Sequence, residues 1–440
     1  MLKRKSLNDF ASESKFLLAN TLYGLIVTII WPLFFIRLWL RSSSAPAYRQ
    51  RWLERCGFIR PQVPGGIHLH AVSVGEVIAA EPLIKQLRSD YPERPLILTT
   101  TTPTGSERAK NLFGDDVYHC YAPFDWLPFV YQFFIQVKPA LCIVMETELW
   151  PSMLFMCRRQ AIPVVIANAR LSDKSKQGYL RINWLVAAML RDVHIAAQYA
   201  VDADNFLALG AQTQLLQVTG SIKFDIKISQ SLTVEAGSMR QSLLDNGTQF
   251  IWLAASTHAG EDESILQAHQ TLLQDNAETL LILAPRHPER CDKVAELIEQ
   301  YQLTYQRSSL TSTSDCGAQI LLIDSIGQLI KFYGTADLAF IGGSIVPHGG
   351  HNPIEPAAWG MPILAGPHLF NFSHVSQLLQ NAGALQLVNK TEELAQDVRY
   401  YIEYPSQREV AAQAGRQVVA SNQGALQRLL VLIDPLLRRY

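Results

Sequence analysis

Glu76, Glu146, Lys223 and Arg286 each stand at or just beyond the end of an apolar run, where an α/β chain turns away from its sheet. Glu76 closes the turn Ser73-Val74-Gly75-Glu76, and a carboxylate held there is a candidate general base. The same four residues spell a capping box, in which Ser73 caps a helix and Glu76 reaches back to the Ser73 amide. A helix amino-terminus favours the ionised carboxylate, which makes Glu76 a ready but weak base. Glu146, in Met145-Glu146-Thr147-Glu148-Leu149-Trp150, follows the apolar Leu141–Val144 and brings a second carboxylate to a neighbouring strand end. A surface glutamate or a cap is the plainer reading of it alone. Lys223, in Thr219-Gly220-Ser221-Ile222-Lys223-Phe224-Asp225, can neutralise a phosphate or carboxylate, or pair with Asp225 at the surface.

Further along, Ala284-Pro285-Arg286-His287-Pro288 places a guanidinium suited to bidentate contact with an anion. Gly342-Gly343-Ser344 begins a stretch that runs through His348-Gly349-Gly350-His351 to Asn352-Pro353-Ile354-Glu355-Pro356. Its glycines permit close backbone approach to a ligand. Asn352 as cap and Pro353 at the first helical position mark a helix start, whose free amides can receive a phosphate. Glu355 can accept both hydroxyls of a ribose, or complete an Asn-x-x-Glu cap. His258, His287, His348 and His351 lack H-x-x-x-H spacing, so no metal is expected.

The elements that must position these groups repeat as strand, turn and helix. Strands are expected at Ile67–Val72, Leu96–Thr100, Val117–Tyr121, Leu141–Met145, Val164–Ala167, His194–Ala197 and Leu215–Val218. Helical periodicity lies between them, as in Val77–Asp90 and Gly105–Leu112. After Lys223 the pattern lapses, and 226–247 reads as a linker. A second series follows, with strands at Phe250–Ala255, Leu280–Ala284, Ile320–Ile323, Leu338–Ile341, Pro362–Leu364 and Ala384–Val388. Apolar strands alternating with helices indicate parallel sheets covered on both faces. The expected class is α/β, with two Rossmann-like domains facing across a cleft, residues 61–225 and 248–420. Residues 421–440 form a terminal helix that can pack back on the first domain.

Composition adds bounds. The 440 residues are 48% hydrophobic and 18% charged, which gives material for large cores. A net charge of -1 argues against nucleic acid as a partner. Residues 1–60 hold ten Lys and Arg against three acids, a net of +7, so the remainder carries -8. Within that basic segment, Phe16–Ile36 is a run of 21 residues without a charge, near the roughly 20 that span a bilayer as a helix. It exceeds the roughly 7–15 apolar residues of a signal peptide, so 1–60 is expected to be a retained anchor with a basic juxtamembrane strip. Arg37, Arg41, Arg49, Arg51 and Arg55 follow it and place the body on the cytoplasmic side. The six cysteines have no C-x-x-C pair and read as reduced thiols.

These features converge on a nucleotide-sugar enzyme of the two-Rossmann (GT-B) kind. The motifs HAVSVGE (70–76), TPTGSERA (102–109), METELWP (145–151), IANARLS (166–172), VTGSIKFD (218–225), STHAGE (256–261), APRHPER (284–290), GGHNPIE (349–355) and GPHLFNF (366–372) resemble the bacterial 3-deoxy-D-manno-octulosonic acid (Kdo) transferases of lipid A biosynthesis. The likeness runs from Trp31-Pro32 to Asn422–Gln427. It implies Kdo transfer from CMP-Kdo to a tetraacyl lipid A precursor at the cytoplasmic face of the inner membrane, without a cofactor. By motif it makes Glu76 the proton acceptor and Glu146 and Lys223 the transition-state stabilisers. It puts CMP on Pro285-Arg286, on Ile326-Gly327-Gln328 and on Asn352-Pro353-Ile354-Glu355. Gln328 stands where the family usually carries glutamate. Two other classes share parts of the pattern: a sugar-nucleotide 2-epimerase, which needs no anchor, and a non-catalytic membrane adaptor, to which Glu76, Lys223 and Arg286 are awkward.

Overall fold

A computed structural model describes residues 20–30, 33, 46–59, 64–310, 317–325, 327–388 and 391–438. The apolar runs form two seven-stranded sheets, one in each of two units. The first unit comprises the chain up to Asp225 together with Gln423–Tyr440, and the second is Ile226–Asn422.

In the first unit the strands are β1 (Ile67–His70), β2 (Leu96–Thr100), β3 (Tyr118–Tyr121), β4 (Leu141–Met145), β5 (Val164–Ala169), β6 (Val193–Ala197) and β7 (Leu216–Val218). They pair in parallel in the order β3-β2-β1-β4-β5-β6-β7. β1, β2, β4 and β5 are buried along their whole length, which explains the apolar run of β4 and the mostly apolar make-up of the other three. The order reverses between β1 and β4. Ligands of open parallel sheets bind beyond the carboxyl ends of the strands at such a point, and Glu76 and Glu146 follow these two strands.

Helix Val74–Asp90 buries Val77, Ala80, Leu83, Ile84 and Leu87, an i, i+3, i+7 stripe. The stripe meets Ile67 and Leu69 of β1 and Leu429 and Ile433 of the terminal helix Ala425–Leu437 in one core. Each such Leu or Ile contributes roughly 1.5–3 kcal/mol, so the helix that carries Glu76 is firmly seated. Asp225 accepts from the Gly424 and Leu426 amides at 2.5 and 2.6 Å. It therefore fixes the start of the terminal helix.

The second unit has β8 (Phe250–Thr257), β9 (Thr279–Pro285), β10 (Tyr305–Arg307), β11 (Ile320–Leu322), β12 (Leu338–Ile341), β13 (Ile363–Ala365) and β14 (Leu385–Leu387). The sheet is parallel in the order β10-β11-β9-β8-β12-β13-β14. Its turning point lies between β8 and β12. β10 escapes the sequence pattern because it is a half-buried edge strand, Tyr-Gln-Arg.

Residues 226–247, expected as a linker, contain helix Gln230–Asp245. Ser229 caps it by accepting from the Leu232 amide, and Arg240 pairs with Asp337 at 2.8 Å. Asp337 also accepts from the Ile251 amide of β8, so this helix is part of the second unit. Only Ala236 and Leu243 are buried along it, too few to leave a readable stripe.

Of Phe16–Ile36, residues 16–19, 31, 32 and 34–36 lie outside the described residues. Residues 20–30 and 33 are helical. Trp126 donates its indole N–H to Thr28 at 3.0 Å, and Tyr23 hydrogen-bonds Asp125. Among the described residues no helix is long and apolar enough to cross a membrane. Cys56, Cys120, Cys142, Cys157 and Cys291 are free thiols, and Cys316 lies outside the described residues.

Candidate active site

The Glu76 carboxylate is 7% exposed at the first turn of helix Val74–Asp90. Ser73 caps the helix, its hydroxyl accepting from the Glu76 amide at 3.3 Å. The reciprocal contact of a capping box is replaced. Glu76 Oε2 accepts from the Val72 amide, not that of Ser73, and Oε1 accepts from the Ser73 hydroxyl, both at 2.9 Å. Burial pushes the carboxyl up to about 7; the Val72 and Ser73 hydrogen bonds oppose the rise, while the carboxylates of Glu148 and Glu146 add to it. The ionised, weakly basic group expected at a helix start is thus overturned by desolvation. A base poised near neutrality suits abstraction of a hydroxyl proton.

Glu146 directly follows β4, its amide donating to Ala167 at 3.0 Å. Its φ is +54°, a left-handed conformation that costs a non-glycine residue roughly 1–3 kcal/mol. Lys223 Nζ lies 3.3 Å from Glu146 Oε1, and the two side chains are 28% and 26% exposed. The structure therefore brings together two residues 77 positions apart. Asn168, near the end of β5 and next to Ala167, is buried, has φ +54°, and its Oδ1 accepts at 3.2 Å from the amide of Ile222, the neighbour of Lys223. Gln198 braces its carbonyl at 2.9 Å.

In the second unit Arg286 follows β9, its amide donating to Thr257 at 3.0 Å. Its charge acts on Glu355 and His351, which places all three in one neighbourhood. Glu355 accepts from the Asn352 side chain at 3.0 Å, and burial raises its carboxyl above the usual range. Asn352 Oδ1 takes the Ile354 amide at 3.0 Å. Pro353 is the N-cap, not the first helical residue, of a six-residue helix Ile354–Trp359, so one of the amides expected to be open to phosphate is occupied. Pro285 ends β9. Gly327, at φ +84°, and Gln328, the N-cap of helix Leu329–Tyr333, follow the adjacent strand β11. Ile326 lies outside the described residues.

Several residues escaped sequence reasoning. Glu148, held by the Trp150 indole at 2.8 Å, acts on Glu76. The repeated glutamate in METELWP was its only signal. Asn168 sat unread within IANARLS. Glu261 is fully buried and accepts from the amides of His258, Gly343, Ser344 and Ile345. The amides of Gly343 to Ile345 in the glycine loop, read in the sequence only as permitting close approach to a ligand, are spent on this internal carboxylate.

Comparison with known proteins bears on the family and the fold. Residues 50–226 match the family described as 3-deoxy-D-manno-octulosonic-acid transferase (kdotransferase). The 3-deoxy-D-manno-octulosonic acid transferase of Haemophilus influenzae is 43% identical over 95% of this chain and 98% of that protein. A glycosyltransferase from Rickettsia africae superposes with a TM-score of 0.56 at 15% identity, covering 86% of this chain and all of that one. UDP-GlcNAc 2-epimerase from Neisseria meningitidis, bound to UDP-GlcNAc, gives 0.56 at 14% identity over 84% of this chain and 99% of its own. These two show the fold alone: paired parallel-sheet α/β domains of the GT-B kind. On the near full-length identity to the Haemophilus enzyme, the chain belongs to the 3-deoxy-D-manno-octulosonic acid transferases and is a glycosyltransferase.

Proposed function

We propose that the enzyme moves Kdo from CMP-Kdo to the 6'-hydroxyl of a tetraacyl lipid A precursor, with inversion and without a metal. The observation that carries this reading is the buried Glu76 carboxyl, poised at about 7 beyond β1, at the turning point of the first sheet. Glu76 takes the proton of the acceptor hydroxyl as its oxygen bonds to the anomeric carbon. The bond from that carbon to the phosphate oxygen breaks, and CMP leaves with the electron pair. Positive charge builds on the sugar and negative charge on CMP. Glu146 offsets the former, while Lys223 and Arg286 offset the latter. A monophosphate leaving group needs less countercharge than a diphosphate, and two cationic side chains meet that need. Pro285, Arg286, Ile326, Gly327, Gln328 and Asn352 to Glu355 hold CMP.

The acceptor places the enzyme at the cytoplasmic face of the inner membrane. Leu22, Leu25, Ile26, Ile29, Ile30 and Leu33 are exposed at helical spacing, while Tyr23 and Thr28 hold the helix to the first unit. Such a stripe favours a helix lying in the interface over one crossing it. Purified full-length chain incubated with CMP-Kdo and tetraacyl lipid A precursor tests the reaction. CMP release that requires the lipid, with Kdo on the lipid by mass spectrometry, is the expected result. Release at the same rate without lipid would mean hydrolysis and refute the transfer.

A further inference from the structure

The second unit holds an anion nest that its own chain already fills. Glu261 takes four backbone amides, at 2.9 Å from His258, 2.7 Å from Gly343, 3.0 Å from Ser344 and 2.9 Å from Ile345. These four amides are therefore not free for a ligand anion, which turns attention to the side chains. Those around Arg286 are imidazoles. His258 follows β8, and His348 and His351 follow β12, the two strands at the turning point of the sheet.

His258 Nε2 and His351 Nε2 lie 2.9 Å apart, so one ring donates to the other. The His348 ring stacks on His258 at 4.3 Å and 26°, and His287 meets it edge-on at 6.0 Å. A Cβ on Gly343 would come within 3.2 Å of His351 and 3.3 Å of His258, so the glycine makes room for the pair. Burial holds His351 down at about 4 and lowers His258 below its usual value.

The sugar of the proposed donor is a 2-keto acid. Its anomeric carbon carries both the phosphate ester oxygen and a carboxylate, two anions on one atom. Arg286 can serve one of them. We infer that His258, His348 and His351 form the subsite for the sugar carboxylate, leaving Arg286 to the phosphate. This rests on the CMP-Kdo reading given above. The accepting ring of the His258–His351 pair keeps an N–H of its own, and an imidazole N–H suits the task better than a second guanidinium. The carboxylate stabilises positive charge as it builds on the adjacent carbon, and a cation paired with it would cancel that help.

Titration calorimetry of the full chain with CMP and with CMP-Kdo, in the absence of acceptor, tests the subsite. His351→Ala should weaken CMP-Kdo about tenfold, the order of one hydrogen bond to a charged group, and leave CMP within about twofold. His348→Ala, at the exposed rim of the cluster, guards against misfolding and should weaken CMP-Kdo about threefold with CMP unchanged. Parallel weakening of both ligands, or no change for CMP-Kdo in either variant, overturns the carboxylate subsite. Wild-type protein that binds CMP-Kdo no better than a control nucleotide such as AMP overturns the donor reading itself, and the subsite with it.

Discussion

The Lys223 ammonium stands 3.3 Å from the Glu146 carboxylate, across a distance of 77 residues in the chain. Both are only partly buried, so the pair contributes little to folding, under about 1 kcal/mol. Its consequence lies in the reaction. With Lys223 as partner, Glu146 is steered into one rotamer at the strand end, and its left-handed backbone is held by the Ala167 carbonyl. Glu146→Gln and Lys223→Met should each lower the turnover number by roughly 10²–10³. If the two act as a unit, the double variant falls no further than the worse single one. Steady-state CMP release with unchanged melting temperature is the check, and strictly multiplicative losses would separate their roles.

Glu76 sets the pH response. Because burial places its carboxyl at about 7, kcat/KM should rise with pH as one proton is lost near that value, then level off. Glu148→Gln removes one carboxylate that raises it, so the limb should move to lower pH while its slope stays that of one proton. Glu76→Gln should lose roughly 10²–10⁴ of turnover yet bind CMP as before. A pH profile for Glu148→Gln superimposable on wild type would detach Glu148 from the base.

The same shift has a stability consequence of opposite sense. Glu76 binds its proton more tightly folded than unfolded, between an ordinary 4.5 and about 7. The folded chain therefore holds more protons in that window, and stability falls as pH rises through it. The full penalty is reached above about pH 7, on the order of 3 kcal/mol. Glu76→Gln cannot ionise, and its amide can still accept from Val72 and face the Ser73 hydroxyl. It should melt several degrees higher than wild type at pH 8 and no higher at pH 4. Chemical denaturation at the two pH values measures it directly.

What the sequence disclosed follows from where each signal resides. Strands of a parallel sheet are apolar on both faces, so β4 is legible as Leu141–Met145 in one short window. Edge strand β10 and helix Gln230–Asp245 bury too little to show a period. Glu76 is visible as a carboxylate in a turn, but its raised pKa is not, because desolvation depends on chain folded over it. Glu261 is the extreme case. It stands in STHAGE as an ordinary glutamate, and its partners Gly343 to Ile345 arrive more than 80 residues later. The same remoteness hid the meeting of His258, His287, His348 and His351, which follow β8, β9 and β12.

Glu261 also supplies the sharpest test of the second unit's architecture. It is fully buried, and its carboxylate accepts from three consecutive amides of the glycine loop, Gly343 to Ile345. Glu261→Ala strands these donors and that of His258 in a place closed to most solvent, where one unsatisfied group costs about 1–3 kcal/mol. The combined loss should be at least about 3 kcal/mol. Glu261→Gln retains the shape but brings an N–H₂ against amides that only donate, so it should recover less than half of that loss. Urea unfolding of the full chain, followed with fluorescence of Trp252 on β8, should show the midpoint falling in the order wild type, Gln, Ala. A Glu261→Ala variant as stable as wild type would mean that the loop finds its acceptors elsewhere.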